Sequence, residues 1–174
     1  MTQGPIKDLI EEFGKEVVEV AQRNLGAFRT VKGKKRRSVA SGALKDSLSF
    51  INKTRNRNPI VQFTTNSAET KKYADIVEYG RRKGARQPPV EPILKWIDQK
   101  GIRPRNKQGG FIKVTEANKK AMAFAIARSI GKNGTPETRY YRDAIETVLE
   151  RRGPDFLLAL EREIEIRLNL NNRK

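Results

Sequence analysis

Apolar residues recur at three- and four-residue steps from the start of the chain. Ile6, Leu9, Ile10, Phe13, Val17, Val18, Ala21 and Leu25 form one stripe, which predicts an amphipathic helix over residues 5–25. Asp8, Glu11 and Glu12 suit its positive end, and Gly26 supplies a stop. The polar face is acidic, so the helix reads as one that packs on a core rather than lying on an anionic membrane. The pattern breaks over residues 28–40, where Arg29, Lys32, Lys34, Lys35, Arg36 and Arg37 stand with hardly any apolar content. Like charges this close repel, which predicts a mobile basic loop over 29–42, either solvated or gripping an anion.

Residues 43–52 and 59–65 read as two strands, with Leu48, Phe50, Ile51, Ile60, Val61 and Phe63 available for burial and a polar, basic turn between them. Over 73–79 the large residues Tyr73, Ile76, Val77 and Tyr79 fit either a helical turn leading into a strand or a strand throughout. As a strand, the segment would complete an antiparallel sheet of three or more strands for the first helix to cover.

Gly80 permits a turn that a side chain would obstruct, and a dense cationic loop follows, carrying Arg81, Arg82, Lys83 and Arg86. Pro88 and Pro89 stiffen its exit. Pro92 suits the first turn of a short helix that ends at Gly101, with Ile93, Leu94, Trp96 and Ile97 as its apolar face. A second basic loop over 101–110 holds Arg103, Arg105 and Lys107. Thr115 is a suitable N-cap for a helix through Ile130, whose Met122, Phe124, Ala125, Ile126 and Ala127 read as core. Residues 131–134 read as a helix breaker, and Thr135 with Pro136 as the cap and first residue of a helix through Arg152. Tyr140, Tyr141, Ala144, Ile145, Val148 and Leu149 would be its buried side. After Pro154, Phe156, Leu157, Leu160 and Ile164 keep helical spacing, whereas residues 163–170 alternate in period two. That segment is assigned helix first, with 165–174 open to being a strand or an arm that pairs with a neighbouring subunit.

These elements predict an α+β fold in one domain over residues 1–174: a small antiparallel sheet packed by the N-terminal helix and further helices, with extended basic loops. Composition changes the picture in two ways. Thirty-seven basic against 20 acidic residues give a net charge of +17, which points to an anionic partner and says nothing of fold. Cysteine and histidine are both absent, which excludes disulfides, thiolate or imidazole metal sites and every triad that relies on them. No cofactor or metal is expected, and the chain is not read as an enzyme. No apolar run approaches the roughly 20 residues of a membrane helix, and the opening residues lack a signal-peptide layout.

The run Gly131-Lys132-Asn133-Gly134-Thr135 lacks the spacing of a phosphate loop. Asp75, Glu78, Glu161, Glu163 and Glu165 read as surface carboxylates that balance excess cations. Trp96 and the tyrosines read as core rather than as base-stacking platforms.

Four segments in this order carry a resemblance: Gly42-Ala43-Leu44-Lys45-Asp46-Ser47, the stretch YADIVEYG with its basic loop and proline-led helix, AFAIARSIGKNGT, and RYYRDAI. Together they resemble the small tail-completion, or neck, proteins of tailed bacteriophages, in particular the tail-component family of lambda-like and Hong Kong-type siphophages. The likeness runs from about residue 42 to 145. It implies a structural virion protein, a ring subunit that joins the head connector to the tail. Its partners would be other neck, connector and tail proteins, within a homo-oligomeric ring close to packaged DNA. Its location would be the virion, and the host cytoplasm during assembly. The loops at 29–37 and 103–107 are more basic than that family's pattern, so contacts there would differ. On this reading the partner- or DNA-contacting residues are those of the three basic loops. The alternative is a free nucleic-acid-binding module that acts through the same loops. No helix-turn-helix, zinc-finger or RNA-recognition signature accompanies them.

Overall fold

The stripe at the start of the chain is helix α1, Pro5–Gly26, and its apolar residues Phe13, Val17, Val20, Ala21 and Leu25 are buried. The computed structural model describes residues 5–31, 34–37, 41–55, 58–106 and 108–171. After α1 come β1 (Phe28–Val31), β2 (Lys34–Arg37), α2 (Ala43–Ser47), β3 (Leu48–Arg55) and β4 (Asn58–Thr65). These are followed by α3 (Ala68–Tyr79), α4 (Val90–Lys100), α5 (Glu116–Asn133) and α6 (Tyr140–Asn171). The fold is α+β, as the alternation of helical and strand patterns predicts.

Helices α1 and α6 run antiparallel. Asn24 donates to the carbonyl of Tyr140, Glu16 meets Arg152, and the rings of Phe13 and Phe156 pack 5.6 Å apart. The β3–β4 hairpin lies on this pair, with Phe50 opposite Phe63 in the register. The fit is close: a Cβ on Gly14 of α1 would lie 2.4 Å from the Phe50 ring. Alternation along the strands sends Ile51 and Ile60 to the other face, where they stay exposed rather than joining the core. Tyr141 ties the hairpin to α6: its hydroxyl lies 3.1 Å from the Ser49 amide and 3.0 and 2.9 Å from the Ser49 and Thr64 carbonyls.

A second cluster is separate. Ile93 and Ile97 of α4 pack on Ala123 and Ala127 of α5, with Val90, Leu94, Ile102, Met122, Ile126 and Ile130 around them. The core is narrow because alanine faces isoleucine, so the two helices approach closely.

Several elements depart from the sequence expectation, each for a local reason. Residues 28–31 and 34–37, expected as loop, pair as an antiparallel hairpin, since a backbone ladder needs no apolar side chains. Residues 43–47 are a helical turn and not the start of a strand. Residues 73–79 belong to helix α3, so each sheet has two strands and the third strand is absent among the described residues. Its buried face is Thr70, Ala74 and Glu78 at four-residue steps, while the large residues Tyr73, Ile76 and Tyr79 point outward. Helix α5 continues through Gly131, which is buried and selected for close approach rather than for breaking.

Helix α6 begins at Tyr140 and not at Pro136, because the preceding residues are engaged with the end of α3. The Thr138 amide and hydroxyl donate to the Val77 carbonyl at 3.1 and 2.6 Å, and the Arg139 amide donates to that of Glu78 at 3.1 Å. Helix α6 then passes through Gly153 and Pro154 without a break as far as Asn171, held in line by Phe156 against Phe13 of α1. This resolves the open choice over 165–171 as helix. Trp96, Tyr73 and Tyr79 are 39%, 39% and 62% exposed, so of Trp96 and the four tyrosines read as core only Tyr140 and Tyr141 are buried.

Candidate interaction surface

Charge is divided unevenly between these parts. Residues 1–26 carry three basic and five acidic side chains, and residues 133–174 carry eight of each. The two long helices are therefore close to neutral. Residues 27–80 carry twelve basic against four acidic residues, and residues 81–132 fourteen against three. The whole excess of +17 thus rests on the two hairpins with α2 and α3, and on the α4–α5 unit with its loops.

The α4–α5 unit joins the rest through paired backbone. Arg81 and Thr135 exchange N–H···O bonds of 3.0 Å in both directions, and the Gly84 amide donates to the Gly131 carbonyl at 3.0 Å. Glycine makes this approach possible. Gly80 and Gly134 have φ of 69° and 70°, and a Cβ would lie 2.5 Å from the Thr135 carbonyl oxygen at the first and 2.2 Å from that of Arg81 at the second. The expectation that Gly80 admits an otherwise obstructed turn holds at this contact. The C-terminal stop at Gly101 also holds, with a left-handed conformation and its amide on the Asp98 and Ile97 carbonyls.

The ladder fixes the first cationic loop. Arg81 turns inward: its Nη2 donates to the Arg86 carbonyl at 2.5 Å, and its Nε is buried without a partner among the described residues. Arg82, Lys83 and Arg86 are exposed, and none has a carboxylate partner among the described residues. Arg81, Arg86, Gln87, Pro88, Pro89 and Val90 line an open groove on this side.

The second loop is closed by Asn106. Its amide donates to the Gly110 carbonyl at 2.8 Å, its side-chain oxygen accepts from the Gly110 amide at 2.8 Å, and its carbonyl accepts from Gly109 at 3.0 Å. This brings the guanidinium carbons of Arg103 and Arg105 to 4.9 and 4.4 Å from the centre of the Phe111 ring. Phe111 is 57% exposed, so the ring orders two cations at the surface instead of filling a core. Its only signal in the sequence is an isolated aromatic residue beside an arginine pair. Lys119 is engaged differently. Its Nζ meets Asp98 at 2.8 Å and Glu116 at 3.5 Å, which pins α5 to α4, and the hydrogen bond to Asp98 raises its pKa above the usual lysine value.

The structure therefore brings two of the three basic loops onto one unit, at opposite ends of α5. Arg29, Lys34, Lys35, Arg36 and Arg37 lie instead on the β1–β2 hairpin, while Lys32 and Lys107 fall outside the described residues.

Sequence reasoning also missed Glu78. Grouped with surface carboxylates, it is 4% exposed and accepts from the Tyr141 and Arg142 amides at 2.9 and 3.2 Å, the orphan donors at the start of α6. Arg142 adds an Nε contact to it at 3.1 Å and an Nη2 contact to Glu137 at 2.6 Å, and lies over the Tyr79 ring at 4.9 Å. The network holds the segment 135–139 in place, and with it the ladder to the first basic loop.

Among the described residues no group of three or more acidic side chains converges to hold a metal ion, and no helix is long and apolar enough to cross a membrane. What the surface offers chemically is exposed guanidinium and ammonium groups without carboxylate partners among the described residues, two of the guanidiniums ordered by Phe111, and these suit anions. No protein-family model, curated protein or solved structure matches this chain.

Proposed function

We propose that this chain is a non-enzymatic structural subunit of a tailed-bacteriophage virion, a neck or tail-completion protein that joins the head connector to the tail and needs no cofactor. The observation that carries the reading is the partition of charge: a neutral antiparallel helix pair presents two strongly basic parts, one of them attached through a rigid backbone ladder. A scaffold of this kind gathers many cations on parts that project from a neutral helix pair, which suits a part that seals a joint between anionic neighbours. The order of motifs from residue 42 to 145, with its likeness to the tail-component family, supplies the virion context. In a homo-oligomeric ring, each weak charge contact is repeated by every copy, and the avidity exceeds that of any single contact. During assembly the subunit resides in the host cytoplasm.

Deletion of the gene from the phage that encodes it tests the reading. Filled heads and separate tails should accumulate, and the purified protein added to the lysate should join them. Intact infectious particles from the deletion strain would reject the proposal.

A further inference from the structure

We infer that the outward face of α5, with the basic loop at each of its ends, is a track for the phosphates of duplex nucleic acid. The inference is independent of the virion role, since it concerns what the isolated protein binds. Lys120, Phe124, Arg128 and Lys132 stand at four-residue steps and are all exposed, which places them along one side of the helix. Ala117, just before them, and Ala121 and Ala125, between them, lie on the same side and are also exposed. The sole acidic residue of α5 is Glu116, in its first turn and occupied by Lys119. None of the three cations has a carboxylate partner among the described residues, and Arg128 lies over the Phe124 ring at 5.8 Å.

Three features favour nucleic acid over an acidic protein face. The cations form one inclined ridge: Lys120 to Lys132 spans about 18 Å along the axis, roughly half of the 34 Å of one duplex turn. The alanines leave a slim face, and a helix with its side chains is already about 10–12 Å across, close to the roughly 12 Å width of a major groove. Finally, further cations stand near both ends of the helix. Arg103 and Arg105 over Phe111 lie before its N-terminus, and Arg82, Lys83 and Arg86 sit where the Gly84 amide meets the Gly131 carbonyl at its C-terminus. The two exposed aromatic rings of this track, Phe111 and Phe124, each lie under an arginine, and spread cations suit a regular array of phosphates.

Fluorescence anisotropy with a labelled duplex of about three helical turns tests this with the full chain, over a salt series from about 50 to 200 mM. Binding should weaken about a thousandfold across that range, the loss expected when roughly six phosphates are neutralised. The exposed-site triple variant Lys120→Gln/Arg128→Gln/Lys132→Gln should reduce the slope of log K against log salt by about three, and Arg103→Gln/Arg105→Gln by about two. A Lys71→Gln/Lys72→Gln control on α3 should leave the slope unchanged. The proposal is overturned if both cation-removing variants keep the parent slope. It is also overturned if polyglutamate of equal total charge displaces the duplex, which would assign the face to an acidic protein.

Discussion

Glu78 on α3 caps α6 from 64 residues away, its two carboxylate oxygens receiving the Tyr141 and Arg142 amides while the Arg142 guanidinium closes on the same group. A helix N-terminus favours negative charge, and here the residue that supplies it belongs to another element. The carboxylate therefore acts as cap and ion pair together, fixing the angle at which the longest helix leaves the ladder.

Removing that group should be costly. Glu78→Ala leaves the buried Tyr141 amide and the part-buried Arg142 amide without their acceptor and the Arg142 guanidinium with Glu137 alone, a loss of about 3 kcal/mol, whereas Glu78→Gln keeps one acceptor and should lose about half as much. Thermal unfolding followed by circular dichroism measures both. Equal, near-zero effects would mean that the cap contributes nothing.

The glycine contacts make a different claim, about one joint rather than global stability. Gly134→Ala drives a Cβ into the Arg81 carbonyl and forces φ of 70° on a side chain that resists it. The amides of Arg81, Gly84 and Thr135 should then exchange with deuterium at least about tenfold faster, while those of α1 keep their protection. Uniform exchange throughout the chain would show that the α4–α5 unit does not depend on this ladder.

Tyr140 and Tyr141 are pushed above the ordinary tyrosine pKa chiefly by burial, with the nearby Glu78 charge acting in the same sense. A phenol whose folded pKa exceeds its unfolded value of about 10 stabilises the fold below that pH, and the contribution is lost as pH rises beyond it. Absorbance of phenolate near the tyrosine red edge should therefore rise in two stages, the exposed rings first and the buried pair only as the fold gives way. Tyr141→Phe should remove the late stage in part and cost about 1–2 kcal/mol through the lost contacts to Ser49 and Thr64.

At the other end of the pH range, Glu16 is held below the ordinary glutamate value, first by its hydrogen bond from Arg152 and then by the charges of Arg151 and Arg152. A depressed carboxyl stabilises above its unfolded pKa of about 4.5, and the contribution disappears as pH falls through the folded value. Glu16→Gln should lower the melting temperature at neutral pH by about 1–3 °C and flatten the acid limb of the stability curve. An unchanged acid limb would place the Glu16 pair outside the energetics of the α1–α6 joint.

How much of this was legible in the sequence depends on whether a residue's role is local. The α1 stripe, the Thr115 cap that accepts the Asn118 amide at 3.2 Å, and the obstructed turn at Gly80 follow from neighbours along the chain. The α3 helix was ambiguous because its large side chains face outward and its buried ones are small or polar. Glu78 and Gly131 were misread because a carboxylate and a glycine show nothing in sequence of the distant backbone they meet. At the candidate site, the arginines and lysines were visible as charge. Their ordering by Phe111, and the line through Lys120, Arg128 and Lys132, required the helix and its loops in place.

The most direct measurement is cryo-electron microscopy of the complete virion at the head–tail junction. The proposal predicts a ring of density that fits this chain, with each α4–α5 unit turned toward the DNA-filled channel and α1–α6 away from it. Complete particles whose junction holds no such density would contradict it.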